Sequence, residues 1–143
     1  MAYLPFIAVV SGLKNTGRAD FLLAMQRQTL GKWGESQAAD YLQAHGLRVI
    51  CRNFRCPLGE IDIIAQDDDC LVFCEVKTRS SRQYGFPQEA VSRAKQQKIA
   101  QVALWYLSNQ AITVDIRFDV VAITRSSSAK PEIEWLPAAF YLD

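Results

Sequence analysis

Apolar residues recur at helical spacing through GKWGESQAADYLQAHG, where Trp33, Ala38, Tyr41 and Leu42 mark one side. Thr29 precedes the run as a candidate N-cap, and Gly46 follows it at the position where helices end in a left-handed residue. The period then changes to two. LRVICRNF predicts a strand over 47–54, Pro57-Leu58-Gly59 a turn, and EIDIIA and CLVFCEVKT two further strands joined through Asp67-Asp68-Asp69. Pro87 is placed to open a second helix, along which Val91, Ala94, Ile99, Val102, Ala103 and Tyr106 repeat every three to four residues. VDIRFDVVAIT predicts a strand over 114–124, IEW a short edge strand, and PAAFYLD an irregular tail or one short helix. The order α-β-β-β-α-β makes this an α/β chain with a mixed sheet flanked by helices. Residues 29–143 read as a single domain. Residues 1–28 read as an extension that is poorly attached or disordered, with Met25 as an alternative translation start.

With 143 residues, half of them hydrophobic, the chain can bury a core of its own. Its net charge of +1 carries no nucleic-acid signature as a whole. Local clustering alters that picture. Between Val76 and Ala100, Lys77, Arg79, Arg82, Arg93, Lys95 and Lys98 stand against Glu89 alone, and Arg48, Arg52 and Arg55 lie in a stretch without any acid. Such a cluster suits either a solvated face or a wall for phosphates. The apolar run LPFIAVV is too short to span a bilayer and has no basic residue before it, so a cytoplasmic protein with no membrane association is expected. Cys51, Cys56, Cys70 and Cys74 then read as reduced thiols, at spacings too loose for a zinc motif. His45 reads as a last-turn residue interacting with the helix dipole, and Trp33, Trp105 and Trp135 as packing residues.

The two central strands carry charge where a core hairpin should be apolar. Strand alternation puts Glu60 and Asp62 on one face with Ile61 and Ile63 on the other; it likewise groups Glu75 with Lys77, opposite Val72, Cys74 and Val76. A two-residue loop at Asp68-Asp69 would set Asp62 directly across from Glu75 and Glu60 across from Lys77. Two ionised carboxylates about 4 Å apart repel by roughly 4 kcal/mol at an effective dielectric near 20. A shared proton, good solvation or a cation relieves that. Mg²⁺ does so economically, since it binds through one or two carboxylates plus water and substrate phosphate. Lys77 would then lie near the ion, able to orient or deprotonate a water and to stabilise phosphate charge. The competing reading is an ordinary solvent-facing sheet with a Glu60–Lys77 cross-strand pair. Glu35 poses the same choice: it lies close to the Ala38-Ala39-Leu42 side of its helix, and a position near the helix amino end would also favour its charge.

Gly59-Glu60-Ile61-Asp62 followed by Glu75-Val76-Lys77 resembles the PD-(D/E)XK nuclease signature, with Ile61 where the name has proline. More closely, the chain resembles the YraN-like family of bacterial proteins, whose fold is similar to that of archaeal Holliday-junction resolvases. Gly31-x-x-Gly34-Glu35, Asn53-Phe54-Arg55, Phe73-x-Glu75-Val76-Lys77-Thr78-Arg79, Tyr84-Gly85, Ala90-Val91-x-x-x-Lys95 and Arg117-Phe118-Asp119-Val120-Val121 also carry the likeness, which spans about residues 30–136. The resemblance implies a restriction-endonuclease-like core and a Mg²⁺-dependent endonuclease acting on DNA rather than RNA, branched or structured DNA included. Mn²⁺ would be a substitute ion. By the same resemblance Asp62, Glu75, the Val76 carbonyl and Glu35 are metal ligands, and Lys77 is the catalytic lysine beside Asp62 and Glu75. Arg55, Arg79 and Lys95 contact phosphates, and the protein is a homodimer. The alternative is a nucleic-acid-binding protein that uses the same basic face without cleaving.

Overall fold

The computed structural model describes residues 15–80, 91–111 and 113–142. Helix α1 (Asn15–Ala44) precedes strands β1 (Arg48–Cys56), β2 (Gly59–Asp67) and β3 (Cys70–Arg79); helix α2 (Arg93–Gln110) precedes β4 (Asp115–Thr124) and β5 (Glu132–Phe140). The strands form one sheet in the order β1-β2-β3-β4-β5. Only the β3–β4 pair is parallel, as a helical crossover requires. This is the expected mixed sheet and α-β-β-β-α-β core, with β5 added at the edge. Ala38, Ala39 and Leu42 of α1 pack on Ile63, Val72, Cys74 and Val121 on one face. On the other, Ile99, Val102 and Ala103 of α2 pack on Ile61, Ile64, Phe73 and Val120. Between two helices and two neighbouring strands, β3 is buried without a break from Leu71 to Glu75.

Helix α1 does not begin at Thr29. It runs back to Asn15, and the Thr29 hydroxyl donates to the Met25 carbonyl at 2.9 Å, four residues earlier in the same helix, so it caps nothing. Residues 1–14 of the expected extension lie outside the described residues. The other end follows the sequence closely. Gly46 takes φ 91°, its N–H donates to Gln43 and that of Leu47 to Leu42, which is a Schellman ending sealed by the Leu42–Leu47 contact. His45 donates from Nδ1 to the Tyr41 carbonyl at 2.8 Å and stacks on the Tyr41 ring. Helix α2 is capped by the Ser92 hydroxyl, which accepts from Lys95 N; Pro87, the expected start, lies outside the described residues together with Arg82, Tyr84, Gly85, Glu89 and Ala90. Ala94 of the apolar repeat is exposed.

The β2–β3 register is the one predicted, from Asp67 opposite Cys70 to Ile63 opposite Cys74, with Asp68 left-handed at φ 51° in the turn. Alternation within β2 is not as predicted. Ile61 packs on the α2 side and Ile63 on the α1 side, so the faces exchange at Asp62. The cause lies across the ladder: Asn53 holds φ 53° between the pairs Arg52–Ile63 and Phe54–Ile61, which kinks β1 where Asp62 would be its partner. A second irregularity in β1, between Val49 and Cys51, leaves Ile50 exposed.

The tail is neither irregular nor helical, because β5 continues through it to Phe140. Asp119 explains why. This carboxylate is fully buried, and it accepts from Arg117 Nε (2.8 Å) and Nη2 (2.9 Å), from Trp135 Nε1 (2.9 Å) and from the backbone N–H of Ala138 (3.0 Å). The β4–β5 register shifts between Phe118 and Val120, and Ala138, at φ 52° in that shift, finds its acceptor in Asp119 instead of a ladder carbonyl. Arg117 also donates to Asp67 at 2.9 Å, and Phe140 stacks on Phe118. Removing the Asp119 carboxylate leaves the Arg117 guanidinium with Asp67 alone and strands an indole N–H and a backbone N–H. Asp119→Ala is therefore expected to lose about 3 kcal/mol of unfolding free energy, measured by urea denaturation followed by tryptophan fluorescence.

Candidate functional site

β2 and β3 part company below Ile63–Cys74, while β2 stays paired with β1 as far as Gly59. Into that fork Asp62 turns its carboxylate, which accepts the Val76 N–H at 2.8 Å in place of a ladder carbonyl. Glu75 is 6% exposed. Its Oε1 lies 3.7 Å from Lys77 Nζ and 3.7 Å from Lys95 Nζ, so one ammonium from β3 and one from α2 offset the same buried charge. Burial, and then the charge of Glu75, push the Asp62 carboxyl up to about 7, against the pull of the Val76 N–H and Lys95.

Glu35 approaches from the α1 side. Twenty residues into its helix, it gains nothing from the helix amino end, and that explanation of its charge is overturned. Partial burial pushes its carboxyl up and the charge of Asp62 adds to this; the nearby Asn53 amide and the charge of Arg52 act in the opposite sense. Arg52 also donates to the Ser36 hydroxyl at 3.0 Å. The helix can lie this close because Gly34 has no side chain: a methyl there would overlap Thr78 of β3.

The structure thus groups Asp62, Glu75, Val76, Lys77 and Lys95, with Glu35 at the margin. Among the described residues no three His, Cys, Asp or Glu side chains converge into a preassembled metal cage. The donors that do meet are hard carboxylate oxygens in a pair that resists double ionisation, which suits an oxygen-loving divalent ion using one or two protein carboxylates. Arg55 stands apart. It pairs with Glu60 across the β1–β2 ladder at 3.3 Å, both largely exposed, so Glu60 does not face Lys77 as alternation suggested. Together with Lys95, Lys98 and Val102, these two residues line a cleft of about 590 Å³ against the Pro57-Leu58-Gly59 turn. Lys95 joins that cleft to Glu75. Arg79 closes β3, its carbonyl accepting from Arg125 N. A larger groove of about 1100 Å³ runs from Leu22 to Trp33 of α1 and past Arg125 to Pro131, away from the acids. Burial pushes the Cys74 thiol well up, so it remains protonated in the core.

Two residues carry more here than their sequence context suggested. Asn53 belongs to a matched motif, but its left-handed backbone has no signature in a strand pattern. Arg52 reads as one of several surface cations, and only the fold turns it onto Ser36.

Asp62 binds its proton near pH 7 when folded and near its ordinary 3.8 when unfolded. Between those values the native state holds more protons, so this group's contribution is full below about pH 4, falls as pH rises, and is lost above about 7. In Asp62→Asn the side-chain oxygen can still accept from Val76 while the titration disappears. The variant is expected to match the parent near pH 4 and to be more stable at pH 8, as read from urea midpoints across that range.

The described part of the chain contains no helix long and apolar enough to cross a membrane. A family profile described as "Uncharacterised protein family UPF0102" matches residues 34–123, the stretch that runs from Gly34 through the fork to the end of β4. A UPF0102 protein of Syntrophotalea carbinolica is 44% identical over 122 residues, covering 85% of this chain and 98% of its own. One from Geobacter metallireducens is 46% identical over 121 residues, covering 84% and 98%. A third, from Trichlorobacter lovleyi, is 45% identical over 123 residues, covering 85% and 97%. On these matches the chain belongs to the UPF0102 family, the YraN-like group whose motifs its strands and helices carry.

Proposed function

We propose that this protein is a metal-dependent nuclease that hydrolyses DNA phosphodiesters, branched or structured DNA among them. The observation that carries the reading is the Asp62–Glu75 pair at the strand fork, with the Lys77 and Lys95 ammoniums both 3.7 Å from one Glu75 oxygen. Mg²⁺, or Mn²⁺ in its place, would be held by Asp62, Glu75 and the Val76 carbonyl with Glu35 alongside, and would supply Lewis-acid polarisation and a more acidic water. The chain's own groups do the rest. Lys77 orients the attacking water and, with Lys95, offsets the negative charge that builds on the phosphoryl oxygens as the P–O ester bond breaks. Arg55 and Lys98, which line the same cleft, hold neighbouring phosphates, and Arg79, at the end of β3, contacts a further one. The products are a phosphomonoester and a free hydroxyl.

A second reading is supported by a specific feature: both lysines already neutralise Glu75 in the free chain, and no three acids converge among the described residues. The protein would then hold nucleic acid on the same basic face without cleaving it. Incubation with linear, flapped and four-way DNA in Mg²⁺ and in EDTA separates the two. The nuclease is expected to cleave only with the metal, to lose cleavage in Asp62→Asn, and to slow by about 10²–10³-fold in Lys77→Ala. Salt-sensitive binding that persists or tightens in Asp62→Asn, with no cleavage by the parent, would replace the nuclease with the binder. Light scattering on the same samples measures whether the protein is the homodimer expected of a resolvase-like fold.

A further inference from the structure

Lys95 belongs to two places at once. Its ammonium lies 3.7 Å from a buried Glu75 oxygen at the fork. Its side chain also lines the cationic cleft beside the Pro57-Leu58-Gly59 turn, together with Arg55 and Lys98. Lys77 reaches the same Glu75 oxygen, also at 3.7 Å, but it stands two residues along the same strand and does not line the cleft. Of the two lysines on Glu75, Lys95 alone connects the acid pair to the cleft.

The Lys95 contact is built to be exchanged. A separation of 3.7 Å exceeds the about 2.7–2.9 Å of a tight charge-assisted hydrogen bond. The side chain is 35% exposed, so the ammonium can change partner without crossing the core. The backbone stays fixed: Lys95 N donates to the Ser92 hydroxyl at 3.2 Å, which confines the movement to a flexible four-carbon stem. Lys95 also sits in the first turn of α2, where there is no acid and where the helix dipole disfavours a cation. It therefore depends on an anion from elsewhere. Glu75 is that anion in the free chain, and a phosphate entering the cleft would compete for the same ammonium. Glu75 keeps Lys77 when Lys95 leaves. A divalent cation that draws on Glu75 must displace ammoniums to do so, and it has one fewer to displace once a phosphate has taken Lys95.

We propose that Lys95 is a specificity-determining residue that frees the acid pair for a divalent cation only when a phosphate occupies the cleft. The proposal rests on the nuclease reading for the cation and the substrate, and on the double contact of Lys95 for the coupling. The substrate it selects is a DNA backbone long enough to place one phosphate in the cleft and another at the fork. A lone phosphate ester cannot do both. Because coupling between two sites is reciprocal, the cation tightens DNA by the same factor as DNA tightens the cation.

The test follows Mn²⁺ binding to the intact protein by electron paramagnetic resonance, alone and with a four-way DNA carrying uncleavable methylenephosphonate linkages. In the parent, the DNA is expected to tighten Mn²⁺ by about 10–100-fold. Free Lys95→Met is expected to bind Mn²⁺ about 10-fold more tightly than the free parent, with a correspondingly smaller gain from DNA. Lys95→Arg keeps the charge and can grip Glu75 through two N–H groups, so the free variant should bind Mn²⁺ more weakly than the parent. A lysine that merely ties α2 to the sheet would not move the two variants in opposite directions. Mn²⁺ affinity in folded Lys95→Met that equals or falls below the parent's overturns the proposal. Should Lys95→Met fail to fold, Lys95→Arg decides, and parent-like or tighter Mn²⁺ binding overturns it. A parent that binds Mn²⁺ neither alone nor with DNA defeats the nuclease reading and the proposal together. A parent that binds Mn²⁺ with DNA, beside variants that match it when free, defeats the proposal alone.

Discussion

An unpaired carboxylate in the middle strand of a sheet, covered by a helix, would cost several kcal/mol, and Glu75 is in that position at 6% exposure. Much of the surrounding structure offsets this. Lys77 comes from the same strand, Lys95 from the first turns of α2, and Asp62 responds by holding a proton well above the ordinary carboxyl range. The position of α2 is therefore coupled to the acid pair as well as to the apolar contacts of Ile99, Val102 and Ala103. A chain selected only for stability would place an apolar residue at 75, since replacing buried ion clusters with well-packed hydrophobic side chains is often neutral or favourable. Keeping four ionisable groups at one fork runs against that economy.

Reaching that fork from both sides sets a demanding condition on the helices. α1 must come close enough to bring Glu35 to the sheet, which the absence of a side chain at Gly34 allows against Thr78. It must also end where β1 can begin, which the Schellman turn at Gly46 achieves within three residues of the last helical one. The opposite end of the same strands is locked by a different charge cluster, Asp119 with Arg117, Asp67 and Trp135. Here one guanidinium answers two carboxylates and the remaining donors each find an acceptor, so the cluster is fully satisfied and holds structure.

Much of this was legible in the sequence because it depends on local rules. The period of apolar residues located both helices and four of the strands, and the Asp68-Asp69 turn fixed the hairpin register down to Ile63–Cys74. Three features escaped because they depend on distant partners. The start of α1 was misplaced because Thr29 looks like a cap wherever it stands, and only its bond to Met25 shows that it is interior. The exchange of faces at Asp62 was missed because alternation is the default for a strand and the kink originates in Asn53, on the neighbouring one. β5 was cut short because PAAF lacks strand propensity; its pairing comes from Asp119, nineteen residues before the Ala138 N–H it accepts. Of the candidate site, the Asp62–Glu75 adjacency followed from spacing, whereas Glu35 and Lys95 entered through resemblance because their elements meet the fork only in three dimensions.

The two outer strands of the sheet share a property with consequences for how this protein meets others of its kind. β1 is interrupted at Ile50 and again at Asn53, and it carries Arg48, Arg52 and Arg55 along its exposed positions. β5 is broken by the register shift around Pro137 and Ala138. Neither edge therefore presents a regular row of unpaired N–H and C=O groups to a neighbouring strand. The same irregularities that shape the fork and admit the Asp119 carboxylate thus guard an open five-stranded sheet against edge-to-edge growth.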